Sequence, residues 1–83
     1  MIIDLKNNRL INVSTIEITD TETKIISLLS DNRYHTIEEI ANFIHYADAY
    51  KIVHKLVDKY DFLLHFKHKK GLGYKINEKI YIK

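Results

Sequence analysis

The spacing of apolar positions divides the chain into strand-like and helix-like segments. Residues 2 to 5 (IIDL), 9 to 13 (RLINV) and 15 to 18 (TIEI) are short and rich in β-branched side chains, with Asn7-Asn8 between the first two. Such runs suit strands, and paired asparagines suit a turn, so a small N-terminal antiparallel sheet is expected. From Thr19 the period becomes helical. Thr19 followed three residues later by Glu22 is a capping box, in which each side chain satisfies an amide left unpaired at a helix start. A helix over about Asp20 to Ser30 follows, with Ile25, Leu28 and Leu29, and Ile26 beside them, as its buried stripe. Thr36 and Glu39 repeat the box, and Ile37, Ile40, Ala41 and Ile44 line one face of a second helix.

After a link of only HYA, Asp48 is placed as the N-cap of a third helix, AYKIVHKLVDKY. Ala49, Ile52, Val53, Leu56, Val57 and Tyr60 recur at three- and four-residue intervals and face the core. The opposite face presents Lys51, His54, Lys55 and Asp58, flanked by Tyr50 and Lys59. Beyond it, FLLHFKH and YKI flank the only two glycines, Gly71 and Gly73. Two strand-like runs around a glycine turn at residues 70 to 73 read as a β-hairpin with Lys69 and Lys70 at its tip. The tail NEKIYIK adds one more strand, with Ile80 and Ile82 inward and Tyr81 outward, which either joins the sheet or offers an edge for self-association.

No proline, linker, repeat or low-complexity stretch interrupts the 83 residues, so one domain with one core is expected. A 46% apolar fraction argues against disorder. The net charge of +2 conceals an asymmetry. Residues 1 to 48 hold four basic and eight acidic side chains, a balance of −4, while residues 49 to 83 hold nine lysines against three acids, a balance of +6. A basic half of this kind faces a polyanion or simply solvates the fold, and charge alone leaves both open.

The segments IEITDTETKIISLL, HTIEEIA, AYKIVHKLVDKY and KKGLGYKI, in this order and spacing, resemble the C-terminal DNA-binding domain of OmpR/PhoB-type response regulators. That family opens with a small antiparallel sheet. Its first helix starts on leucine-threonine-x-x-glutamate, matched here by Ile18, Thr19 and Glu22, and its wing reads arginine-glycine-x-glycine-tyrosine, matched by Lys70, Gly71, Leu72, Gly73 and Tyr74. The resemblance covers nearly the whole chain. It implies an α+β winged helix-turn-helix: N-terminal antiparallel sheet, three helices and a C-terminal β-hairpin wing.

The resemblance further implies a regulator of transcription whose third helix enters the major groove of double-stranded DNA while the wing meets phosphates or the minor groove. Tyr50, Lys51, His54, Lys55 and Lys59 on the helix, with Lys69 and Lys70 on the wing, are the implied DNA contacts, and two copies pairing on DNA belong to the same implication. Two departures shape the expectation. The helix carries no arginine, and Val57 follows Leu56 where the family has one, so binding dominated by the DNA backbone is expected over strong discrimination among bases. The link before it is too short for the family's contact with RNA polymerase, which favours a repressor or accessory role. The 83 residues leave no room for a receiver domain, and with Met1 leading directly into a strand a free-standing regulator is expected over a domain from a longer chain.

The residues themselves give no enzyme reading: there is no glycine-rich phosphate loop and no serine with an evident base, and cysteine is absent. His65 and His68, three apart on an expected strand, point to opposite faces and make a poor metal pair, so no metal or cofactor is assigned. No run is long enough to span a membrane and the N-terminus lacks a basic leader, so a cytoplasmic protein is expected. The rival function is a winged helix serving as a protein-interaction module for an acidic partner, which Asp58 and the missing arginine favour.

Overall fold

A computed structural model describes residues 1–83. The first three strands, β1 (Ile2–Asp4), β2 (Arg9–Ile11) and β3 (Thr15–Glu17), form an antiparallel meander in which Ile3 pairs with Leu10 and Leu10 with Ile16. Ile3 and Leu10 are fully buried. Asn8 takes the left-handed conformation at φ 51°, and the Asn7 backbone and side-chain amides donate to the Asp4 carboxylate at 3.2 and 3.0 Å. The Asn7 side-chain bond, strongest of several, lowers the Asp4 pKa against the opposing effect of burial.

Helix α1 (Asp20–Leu29) begins on the complete capping box. The Glu22 amide donates to Thr19 Oγ1 at 3.1 Å, and the Thr19 amide donates to Glu22 Oε1 at 2.9 Å. Helix α2 (Ile37–Ile44) has only half of the expected box. Thr36 Oγ1 accepts from the Glu39 amide at 3.1 Å, but the Glu39 carboxylate turns to the ring of His35 instead. Left-handed His45, at φ 57°, ends α2, and residues 45–48 lead into α3 (Ala49–Leu64). Asp48 occupies the N-cap position of α3 without a side-chain capping bond.

Helix α3 is longer than its periodicity suggested. Phe62, Leu63 and Leu64, expected in a strand, continue the helix because Leu64 extends the Ala49, Val53, Leu56 and Tyr60 stripe into the core. His65 terminates it in the left-handed region at φ 51°, so His65 is a helix cap and not the strand partner of His68. The hairpin is correspondingly short: β4 (Phe66–Lys69) pairs antiparallel with β5 (Gly73–Ile76).

The tail strand β6 (Tyr81–Ile82) joins the N-terminal sheet, giving the order β3-β2-β1-β6, but it runs parallel to β1, so the sheet is mixed and not purely antiparallel. Ile80 is buried as expected, whereas Ile82 is 56% exposed at the open sheet edge. The architecture is an α+β domain of three helices, one sheet and a C-terminal hairpin, an arrangement compatible with a winged helix. Its Cα radius of gyration, 11.7 Å, is that of a compact chain of this length.

One long-range junction fixes the hairpin against the helices. The His35 amide donates to the Tyr74 carbonyl and the Tyr74 amide to the His35 carbonyl, each at 2.8 Å. Asn32, left-handed at φ 59°, donates its side-chain amide to the carbonyls of Ile76 and Glu78, both at 2.8 Å. The two glycines meet different demands here. Gly71 sits at φ +84° in a turn closed by the Leu72 amide and the Lys69 carbonyl at 3.0 Å. Gly73, at φ +98°, presses against backbone: a Cβ there would lie 2.0 Å from the His35 carbonyl oxygen.

Candidate functional site

All seven side chains singled out in the sequence are exposed, on one side of α3 or at the hairpin tip. They do not form a single patch. Tyr50 and His54, one helical turn apart, face the hairpin, where their rings touch at a tilt of 39° with 4.1 Å between centroids. His54 continues into an edge contact with Tyr74 at 6.2 Å, and its Nε2 lies 3.1 Å from the Tyr74 hydroxyl. Tyr74 in turn lies against its cross-strand partner His68 at 4.5 Å. Four rings therefore join the start of α3 to both strands of the hairpin. Burial, and next to it the neighbouring Tyr50, raises the Tyr74 pKa.

Lys55 and Lys59 lie on the other flank, towards α1. Lys55 lines a cleft of about 240 Å³ together with Thr19, Thr21 and Tyr46. Lys59 is engaged by the fold itself: its Nζ is 3.4 Å from Glu22 Oε2 and 5.2 Å from the centre of the Tyr60 ring. Interaction with Tyr60, and then the Glu22 charge, raises its pKa. Lys51 lies 3.9 Å from Asp48 at the solvent-facing start of α3, a pair that water screens. Lys55, Lys69 and Lys70 form no ion pair, so their ammonium groups are available to an external anion.

The lining between these elements is not legible in the sequence. A cleft of about 360 Å³ opens where the first turn of α2, Tyr50 of α3 and the hairpin converge, with both glycines in its wall. His68 belongs to it, a role legible only through its pairing opposite Tyr74. His35, next to this cleft, is gripped on both ring nitrogens. Nε2 is 2.9 Å from Asp31 Oδ2, and Nδ1 is 2.9 Å from Glu39 Oε2. Burial works against the charged ring, but hydrogen bonds to Asp31 and Glu39, aided by their charges, outweigh it and raise the His35 pKa.

His65, 3.8 Å from Glu78, stands apart from these histidines. No group of three or more histidine or acidic side chains is arranged to hold a metal ion. No helix is long and apolar enough to cross a membrane. No family model matches the chain, and no curated protein matches it.

Proposed function

We propose that the chain is a double-stranded DNA-binding regulator of transcription with a winged helix-turn-helix of the OmpR/PhoB type. The observation that carries this reading is the ring contact between the exposed start of α3 and the lysine-tipped hairpin, which holds the Tyr50 and His54 side of the helix beside the hairpin. An α-helix fits the major groove, where base edges are distinguishable, and lysines beside it neutralise phosphates. Tyr50, Lys51, His54 and Lys55 then meet the groove, and Lys69 and Lys70 the backbone. Lys59, held by Glu22, makes the smallest contribution.

With lysine as the cation and no arginine on α3, backbone contacts dominate and sequence preference is moderate. The protein acts as a binding protein and not an enzyme, in the cytoplasm beside the DNA, with pairing of two copies on adjacent sites as part of the same reading. The four residues between α2 and α3 leave little surface for RNA polymerase, which favours repression.

The test is a fluorescence-anisotropy titration against random duplex DNA at several salt concentrations. Affinity should fall steeply with salt, and Lys70→Ala should weaken binding to every duplex and reduce the salt slope by about one unit. Absence of binding at low salt removes this reading. The second reading, a protein-interaction module, draws on exposed Asp58 and on the capture of Lys59, which both thin the positive charge of α3. Retrieval of an acidic protein by a chain that ignores DNA supports it.

A further inference from the structure

We propose that the cleft between α2, α3 and the hairpin receives a single unpaired base of the bound DNA, one carrying an exocyclic amino group such as cytosine. This rests on the duplex-binding reading and adds to it a site for a base out of the stack. The cleft is open to solvent, and its volume of about 360 Å³ is at the low end of the range for small-ligand sites. Such a space suits one ring system.

The lining has the chemistry of a base site. Tyr50 and His68, two aromatic residues, both line it. Aromatic faces stack on any base, which makes them a common platform for unpaired nucleotides. Tyr50 is 58% exposed and His68 is also exposed, so both retain area for a further ring despite their contacts with His54 and Tyr74. Ile37 supplies apolar surface beside them.

Glu38 sets the specificity. It lines the same cleft and forms no ion pair or side-chain hydrogen bond within the chain. An ionised carboxylate only accepts hydrogen bonds, so it repels a phosphate and favours an amino edge, as carboxylates do with the cytosine amine. Phosphates instead find their partners outside the cleft, at Lys69 and Lys70, which immediately precede Gly71 in its wall. The glycines complete the arrangement. Gly71 lies in the wall with nothing within 4 Å of where its Cβ would be, so the wall is open at that point.

The experiment compares four DNA molecules by anisotropy at one salt concentration: a fully paired duplex, and the same duplex with one extra cytosine, thymine or abasic residue as a bulge. The abasic bulge supplies the flexibility of a bulge without the ring. The cytosine bulge should bind about tenfold more tightly than the abasic one, the order expected for stacking a single base. Thymine should fall between them. Tyr50→Leu should abolish the advantage of both bases, and Glu38→Gln should remove the preference for cytosine over thymine. Cytidine 5′-monophosphate, titrated alone, distinguishes a free nucleotide from a base carried in a strand: negligible binding to the protein at concentrations that saturate the bulge assigns the site to DNA. Equal affinity for the three bulges with intact duplex binding overturns the base site and leaves the duplex reading standing. Failure to bind any of the four overturns both.

Discussion

Replacing Gly73 by alanine isolates the contact that holds the hairpin to the helices. The added Cβ would meet three backbone atoms, the His35 carbonyl oxygen at 2.0 Å, its carbon at 2.5 Å and Thr36 Cα at 2.7 Å. None of these belongs to a flexible side chain that can swing away. The hairpin must therefore shift, at the expense of the paired His35 and Tyr74 hydrogen bonds. Each bond contributes about 0.5–1.5 kcal/mol net. A non-glycine residue held at φ +98° adds about 1–3 kcal/mol of strain. The expected loss is about 4 kcal/mol, against a total stability of about 4–12 kcal/mol at the usual value per residue.

Gly71→Ala is the matched control, because it shares the positive φ but meets nothing within 4 Å. Its strain of about 1–2 kcal/mol is partly offset by a stiffer unfolded chain, which leaves a net loss near 1 kcal/mol. Urea unfolding followed by far-ultraviolet circular dichroism measures both. With a slope of about 1 kcal/mol per molar urea, Gly71→Ala should lower the midpoint by roughly 1 M and Gly73→Ala by several molar, to the point of unfolding in buffer. Midpoints within about 0.5 M of each other would refute the close backbone approach as the reason for Gly73.

Three further outcomes are expected. Glu22→Gln preserves the capping box, since glutamine can serve in it, but releases Lys59; duplex affinity should rise and the salt slope steepen by about one unit in the anisotropy titration. The raised His35 pKa means that the folded protein holds a proton the unfolded chain has released. Its contribution to stability is fully present below the unfolded value of about 6.5 and is lost as pH climbs through the folded value. Urea midpoints at pH 6 and pH 8 should therefore fall between the two in the natural protein and fall less in His35→Gln. Tyr74→Phe removes a part-buried hydroxyl bonded to His54 and should cost about 1 kcal/mol, and a double-mutant cycle with His54→Ala should return a coupling of similar size.

The legible parts of the sequence were those whose causes lie within a few residues. The Thr19 capping box, the Asn7-Asn8 turn and the three helices follow from hydrogen bonds and apolar periods confined to one segment. The end of α3 was not legible. FLL is apolar enough for either a helix or a strand, and only the place of Leu64 in the shared core extends the helix. Similarly, the exposed face of α3 could be read from its charges, but the division between a hairpin-facing pair, Tyr50 and His54, and an α1-facing pair, Lys55 and Lys59, could not.

By itself the sequence determined the order and type of the main elements, the need for a positive-φ turn at Gly71, and the concentration of lysine in the second half. Those properties depend on local backbone sterics and on composition. Tertiary structure alone decided that Gly73 abuts His35, that Glu22 takes Lys59 across 37 residues of chain, that β6 runs parallel to β1, and that a cleft opens beside four rings. Each of these joins segments far apart in the chain. Their pairing follows from how the elements pack around one core, and no period or motif within a single segment encodes it.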